Sequence, residues 1–228
     1  MHGEYGRAIG PRIFLILVHL TALCVVAWLL FGGGLESVAS WRGTTWAIAS
    51  PERRWLLIGC AVVYFLRLTV TGLYLLGRKI GWTEAAIVAG WVVFIHILFA
   101  YLGGTNPKTL NPAVTAAALI LYTSGSFLNT GSELQRKWWK QNPVNEGRLY
   151  TQGLFRYAMH INYFGDELLF TGYALVTGSA WAILVPLLMA AGFVFFNIPQ
   201  LNKHLREHYG SAFQEYARHT KNFVPFLY

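Results

Sequence analysis

The chain has 228 residues, of which 55% are hydrophobic and 12% are charged, and it carries a net charge of +8. An average soluble domain has roughly 25% charged residues, so this composition excludes an ordinary soluble domain and indicates a protein that lies in a lipid bilayer. A mean hydropathy of +0.42 agrees with that class.

Six segments meet or approach the length of about 20 mostly apolar residues that a membrane helix needs. They are residues 12–31, 53–76, 83–102, 110–128, 163–177 and 180–198. Residues 32–50 are rich in glycine, serine and threonine, and they fit an outer loop, a re-entrant segment or a seventh helix. The sequence therefore predicts an all-α, polytopic transmembrane bundle of six to seven spans. No small-residue cleavage site follows the first span, so we do not expect a cleavable signal peptide.

The basic residues are concentrated in residues 129–160 and 199–228. With the N-terminus inside, both segments lie in the cytoplasm and the distribution of Lys and Arg follows the positive-inside rule. Topology thus accounts for the positive charge without nucleic acid, and binding of an anionic cofactor is a second explanation. The sequence predicts an integral, multi-pass membrane protein with a cytoplasmic C-terminus.

Three segments carry polar residues at helical spacing, each near the predicted cytoplasmic interface. Polar side chains in lipid are costly and usually face a bundle interior or a wet cavity, so three stripes at one depth favour a shared pocket over interhelical hydrogen bonds alone. Arginine and lysine suit phosphates, and amides and carboxylates suit ribose and amide groups, which together indicate a nucleotide. The stripes are Asn129, Glu133, Arg136 and Lys140; Asn162, Asp166, Leu169 and Tyr173; and Asn202, Arg206 and Tyr209.

The usual nucleotide and metal motifs do not occur. No G-x-G-x-x-G sequence follows a strand, and there is no G-x-x-x-x-G-K-[ST] loop. His204 and His208 have the spacing of a zinc-binding helix, but no glutamate stands in the required place between them. We therefore predict no metal site.

Four stretches resemble the steroid 5α-reductase family, including its small bacterial members. The clearest are GLFRYAMHINYFGDELLFTGYALVTGS at 153–179 and FQEYARHTKNFVPFLY at 213–228. LNTGSELQRKWWKQNP at 128–143 resembles the preceding helix of the family, and YFLR at 64–67 resembles a motif in an earlier span. The superfamily also contains sterol reductases and membrane methyltransferases of the isoprenylcysteine type, so the signature does not fix the reaction by itself.

The resemblance implies a helical membrane bundle of about seven spans with two functional halves. Residues 1–128 would admit a flat, apolar enone, such as a steroid or another lipid, and residues 129–228 would hold NADPH. No nucleic-acid partner is implied, and we expect a monomer. The implied cofactor contacts are Asn129, Glu133, Asn162, Asp166 and Tyr209, with Arg78, Lys137 and Lys140 for the phosphates and Tyr150 as a further candidate.

In the family, a tyrosine donates a hydrogen bond to the ketone oxygen while the nicotinamide delivers hydride to the β-carbon. Tyr64 takes the matching position, and Arg67, one turn later, would support it or the cofactor. A glutamate assists the tyrosine in the family. Glu36 is the preferred candidate here, with Glu52 and Glu84 as alternatives.

Two other functions compete with the reductase. An S-adenosylmethionine-dependent methyltransferase of this superfamily resembles RHP-x-Y followed by a Glu-Glu pair, whereas this chain has MHINY, with Ile161 in place of proline, and the single glutamates Glu207 and Glu215. A transporter more often shows internal repeats, and we find none. The sequence therefore favours a reductase of the C=C bond of an apolar enone.

Overall fold

The computed structural model of the chain describes residues 9–228, and these residues are helical and contain no β-strand. The all-α class is therefore confirmed for the described part of the chain. The α-helices are α1 (Ile9–Phe31), α2 (Gly34–Trp41), α3 (Pro51–Val70), α4 (Trp82–Gly104), α5 (Pro112–Lys140), α6 (Ile161–Thr177), α7 (Leu184–Gly192), α8 (Ile198–Tyr209) and α9 (Ser211–His219). Two π-helical segments, Thr71–Leu75 and Phe193–Asn197, follow α3 and α7. Short 3-10 turns form at Pro143–Asn145, Gly153–Arg156 and Ala180–Ile183.

Within residues 9–228, four helical segments are long and apolar enough to cross a membrane, which identifies an integral membrane protein. They are Ile9–Phe31, Pro51–Leu75, Trp82–Gly104 and Ala180–Tyr209. These segments correspond to the predicted spans 12–31, 53–76, 83–102 and 180–198. The predicted total of six to seven spans is not confirmed, and the predicted cytoplasmic orientation remains a prediction.

The remaining predicted spans fall on helices that are not among these four segments. The prediction at 110–128 lies on α5, where Thr123, Ser124 and Ser126 interrupt the apolar run. The prediction at 163–177 lies on α6, whose 17 residues extend about 26 Å, at the short end of the range for a membrane helix. Residues 32–50 contain α2, whose 8 residues extend only about 12 Å.

The described residues form two compact units. The first contains the described residues up to Leu119 together with Gly172–Ile183, and the second contains Ile120–Thr171 and Leu184–Tyr228. The functional division predicted between residues 128 and 129 remains a prediction.

In the first unit, α1 packs against α3 and α4, and the buried Arg12 satisfies carbonyl groups in and after the π-helical segment that follows α3. Its Nη1 donates to the oxygen of Gly72 at 2.5 Å, and its Nη2 donates to the oxygens of Leu76 and Arg78 at 3.0 and 2.7 Å. The last carbonyls of a helix lack intrahelical partners, and a guanidinium offers five donors in a fixed fork. Arg12 therefore joins the start of α1 to the π-helical segment after α3 and to the chain that follows it.

A second arginine organises the opposite end of α3. Nη1 of the buried Arg53 donates to the carbonyl of Asn106 at 2.6 Å. The side chain of Asn106 in turn donates to the carbonyl of Thr177 at 3.0 Å. The three residues join the start of α3, the loop after α4 and the end of α6.

In the second unit, α5 and α6 approach each other backbone to backbone at two glycines. A Cβ atom at Gly165 would lie 2.5 Å from the nitrogen of Asn129 and 2.8 Å from the oxygen of Gly125. A Cβ atom at Gly125 would overlap the oxygen of Gly165 and the nitrogen of Leu169. Only glycine permits this crossing, because the neighbours are backbone atoms that cannot rotate away.

We predict that Gly165→Ala lowers the free energy of unfolding by about 1–3 kcal/mol, the usual cost of overpacking. The matched control is Gly131→Ala on α5, where a Cβ atom would lie 3.4 Å from the Phe127 ring and 3.8 Å from the Leu154 side chain, and would not overlap backbone atoms. That variant should be neutral or stabilising, because alanine is the better helix former by about 1 kcal/mol. Thermal unfolding in detergent measures both variants, and equal midpoints for the two would contradict the close crossing.

Candidate functional site

Three of the predicted cofactor residues form one hydrogen-bonded group in the second unit. Nδ2 of Asn129 on α5 donates to the backbone oxygen of Asn162 on α6 at 3.0 Å. Nδ2 of Asn162 donates back to Oε1 of Glu133, one turn further along α5, at 3.1 Å. The polar stripes of α5 and α6 therefore meet immediately beside the glycine crossing.

Glu133 is also engaged by Arg136 on the same helix. The Nη2 atom of Arg136 donates to Oε2 of Glu133, so both carboxylate oxygens have partners. The guanidinium carbon lies 5.4 Å from the centre of the Phe155 ring, in a cation–π contact. This arrangement neutralises the carboxylate and leaves a partly exposed guanidinium beside it, a group that suits phosphate oxygens.

The end of α5 meets the end of α8 through another predicted pair. Nζ of Lys140 donates to the phenol oxygen of Tyr209 at 3.3 Å and lies 6.0 Å from the centre of its ring. Lys140 is exposed and Tyr209 is half-buried. Lys137 and Asp166, on α5 and α6, are also half-buried.

The start of α6 is tied to the chain that follows α9. Nε2 of the buried His160 lies 2.8 Å from Oδ1 of Asn202 on α8, and Nδ2 of Asn202 donates to Oδ1 of Asn222 at 2.9 Å. An amide oxygen only accepts, so His160 carries its proton on Nε2. Burial lowers the pKa of His160, while the bond to Asn202 opposes that shift and the nearby Arg136 charge adds to it.

Tyr150 lies in a hydrophobic cluster with Phe155, Ala158 and Ile161. Its ring centre is 5.2 Å from that of Trp139 and 5.7 Å from that of Phe155, and burial raises the pKa of its phenol. The structure therefore gives Tyr150 a packing role, and its role toward a cofactor stays a prediction.

In the first unit, Tyr64 on α3 is 9% exposed, and two histidines that the sequence analysis missed contact its ring. The ring centres of His19 on α1 and His96 on α4 lie 5.3 and 5.7 Å from that of Tyr64. A signal for both was present, because a histidine within an apolar span is costly and usually has a role. Arg67, one turn after Tyr64, is half-buried.

The candidate glutamate partners of Tyr64 have different surroundings. Glu36 is exposed in the first turn of α2, and Glu52 is exposed in the first turn of α3. Both oxygens of Glu84 accept hydrogen bonds from Arg78, which was predicted to bind phosphate. Glu84 is thus committed to an ion pair in the first unit, and the pairing of Glu36 with Tyr64 stays a prediction.

Comparison with known proteins places these motifs in a family. Residues 82–220, more than half of the chain, match the model of a family described as "Protein of unknown function (DUF1295)". The chain is 35% identical over 79 residues to 3-oxo-5-alpha-steroid 4-dehydrogenase 1 of Homo sapiens, which covers 33% of this chain and 27% of that protein. These matches confirm the resemblance to steroid 5α-reductases.

Two further relatives extend the comparison. The chain is 25% identical over 158 residues to Delta(14)-sterol reductase erg24 of Schizosaccharomyces pombe, which covers 60% of this chain and 36% of that protein. It is 35% identical over 71 residues to Probable O-methyltransferase ustE of Ustilaginoidea virens, which covers 31% of this chain and 25% of that protein. The chain thus spans between 25% and 36% of the length of these three curated relatives.

We predict that the free energy of unfolding of the protein decreases as the pH drops below about 6.5. The unfolded chain protonates its histidines near that pH, whereas folded His160 has a lowered pKa and stays neutral. The stability from neutral His160 is therefore present above pH 6.5 and is lost below it as protons favour the unfolded state. Each kcal/mol lost lowers the thermal midpoint by about 2–4 °C.

The matched variant is His160→Gln, because a glutamine amide can still donate to Asn202 but does not titrate. Thermal midpoints in detergent between pH 7.5 and pH 5 should fall less steeply for this variant than for the wild type. Parallel pH profiles would show that His160 is not the responsible group.

Proposed function

This chain belongs to the DUF1295 family of proteins of unknown function, and we propose that it is a membrane reductase that uses NADPH to reduce the C=C bond of an apolar enone. Two of the relatives carry the names of a steroid dehydrogenase and a sterol reductase, which supports an oxidoreductase of a lipid. The four apolar helices suit a substrate that is dissolved in the bilayer.

The observation that carries the proposal is the polar group of the second unit. Asn129, Asn162 and Glu133 are joined by side-chain hydrogen bonds, and Lys140 at the end of α5 contacts Tyr209 at the end of α8. These residues combine cations for phosphate with amides and a carboxylate for hydroxyl and amide groups. A nucleotide cofactor presents all of these groups, and the rigid crossing of α5 and α6 preorganises the residues that would bind it.

The chemistry divides between the cofactor and the protein. NADPH supplies the hydride when it is bound. Tyr64 donates its phenol O–H to the ketone oxygen, on which negative charge develops as the β-carbon is reduced. Arg67 supports Tyr64 or the cofactor from the next turn of α3, and Glu36 is the proposed carboxylate partner of the tyrosine.

Methyl transfer from S-adenosylmethionine is the second candidate, and the similarity to the O-methyltransferase of Ustilaginoidea virens favours it. The chain departs from the methyltransferase pattern at Ile161 and at the single glutamates Glu207 and Glu215. The many basic residues of the second unit suit the phosphates of NADPH better than the single positive charge of S-adenosylmethionine.

We predict that the purified protein in detergent binds NADPH. The variant Lys140→Gln should weaken this binding about tenfold, or about 1.4 kcal/mol, because it removes one cation near the phosphates. Lys203→Gln is the matched control, since Lys203 is 80% exposed and pairs with Glu207 on α8. Titration calorimetry with NADPH and with S-adenosylmethionine measures both variants. Binding of S-adenosylmethionine alone would assign the protein to methyl transfer instead.

We predict that Tyr64→Phe lowers kcat for an apolar enone by about 10²–10³-fold, the usual cost of one lost donor to a developing oxyanion. Binding of NADPH should be unchanged, because Tyr64 is proposed to contact the ketone oxygen of the substrate and not the cofactor. Single-turnover oxidation of bound NADPH, followed by its absorbance, measures the step. An unaltered rate would remove Tyr64 from the mechanism.

A further inference from the structure

Residues 223–228 follow α9 and fold back on themselves, and we call this segment the hook. The backbone amides of Phe223 and Val224 donate to the backbone oxygen of Tyr228 at 2.6 and 2.8 Å. The tip of the hook is apolar and open, because Phe226 and Leu227 are each 77% exposed. Such side chains gain free energy when they leave water, so the tip is a candidate for a contact outside the chain.

The backbone holds Phe226 in an unfavourable conformation. Its φ of 67° lies in the left-handed region, which glycine fills readily and a residue with a Cβ atom seldom adopts. Among residues 9–228, no other residue besides glycine has a positive φ. Strain of this kind is concentrated at positions that bind ligands. A strained backbone that presents an exposed aromatic ring therefore supports a binding role for the tip.

The hook lies level with the end of the apolar part of a membrane-crossing segment. The ring centre of Phe223 is 6.0 Å from that of Phe193, and Oδ1 of the preceding Asn222 accepts from Nδ2 of Asn202 at 2.9 Å. Phe193 and Asn202 both belong to the segment Ala180–Tyr209, and its first charged residue comes directly after Asn202. The hook thus lies at the depth where this segment would leave the bilayer core.

A cavity of about 290 Å³ opens between the end of α9 and the hook. Its lining combines two cations, Arg218 and Lys221, with the side chains of Leu227 and Tyr228. Both cations are exposed. Nη1 of Arg218 lies 3.5 Å from Oε2 of Glu215, yet 73% of the arginine side chain remains exposed. Guanidinium and ammonium groups suit phosphate oxygens, so the cavity offers both a charged and an apolar wall.

A third cation stands near the tip. The ring centre of Phe226 is 6.0 Å from that of Tyr157. The guanidinium carbon of the exposed Arg156 lies 4.6 Å from the centre of the same tyrosine ring. Apolar side chains beside exposed cations are typical of a surface that inserts its apolar groups among lipids and meets the headgroups with its charges.

We propose that the cavity and the tip of the hook bind one anionic phospholipid of the bilayer. Its phosphate lies between Arg218 and Lys221, and its acyl chains pass along Phe226 and Leu227. A phospholipid with a net negative charge matches these cations, whereas the positive group of a zwitterionic headgroup is repelled by them. The site does not depend on the proposed reductase function.

The test is the affinity of delipidated protein in detergent for phosphatidylglycerol and for phosphatidylcholine, measured by native mass spectrometry. We expect the wild type to bind phosphatidylglycerol about tenfold more tightly. Arg218→Gln and Lys221→Gln should each weaken that binding about fivefold, the value of one cation near an anionic lipid surface. Lys108→Gln is the control, since Lys108 is exposed in the first unit. Equal affinities of the wild type for the two lipids, or unchanged affinities in both variants, would overturn the proposal.

The variant Phe226→Gly tests the tip separately from folding. Glycine adopts a φ of 67° without strain, so the thermal midpoint in lipid-free detergent should not fall. Binding of phosphatidylglycerol should nevertheless weaken about tenfold, because the apolar contact with the acyl chains is lost. An unchanged affinity would show that the tip does not hold the lipid.

The phosphates of NADPH are the other source of the same charge, and titration of the two cation variants with NADPH distinguishes the sources. Weaker binding of NADPH with unchanged binding of phosphatidylglycerol would assign the cavity to the cofactor and overturn the lipid site. Weaker binding of phosphatidylglycerol supports the lipid site, whether or not the protein proves to be a reductase.

Discussion

The structure depends on one constraint, which is that polar groups inside an apolar bundle must find their partners within the protein. Beyond the end of α3, Arg12 supplies such partners by donating to three backbone oxygens. At the start of α3, Arg53 and Asn106 do the same by donating to the backbone oxygens of Asn106 and Thr177. The long-range hydrogen bonds of the first unit are therefore also the contacts that fix how its helices pack. The rule is not complete in the described residues, because Nδ1 of His19, Nε of Arg12 and Nε of Arg53 are buried without a hydrogen-bond partner.

In the second unit, the same constraint joins packing to chemistry. The glycines at 125 and 165 bring two backbones into contact, and that proximity lets the short side chain of Asn129 reach the carbonyl of Asn162. A larger residue at either glycine would separate the helices and break the bond. The polar residues proposed to hold the cofactor thus occupy positions that helix packing defines, and loop motion has little influence on them.

The sequence predicted the features that depend on local pattern. Apolar length located four of the membrane-crossing helices, and helical spacing placed Asn129 and Glu133 on the side of α5 that meets Asn162. The span predicted at 110–128 is not confirmed, because Thr123, Ser124 and Ser126 leave the apolar run of α5 near the limit for a membrane helix. The pairing of His19 with His96 was also missed. It joins residues 77 positions apart and requires knowledge of which faces of α1 and α4 meet.

The link between α6 and the end of the chain has a consequence for biosynthesis. The backbone amides of Met159 and His160 donate to the carbonyls of Lys221 and Asn222 at 2.7 and 2.9 Å. The ribosome makes these acceptors only after α7, α8 and α9, so the entry to α6 cannot reach its final structure while those helices are being synthesised. Domains generally fold as units from the N-terminus during translation. The second unit therefore completes its structure late, because the amides of Met159 and His160 pair with carbonyls that are made after α9.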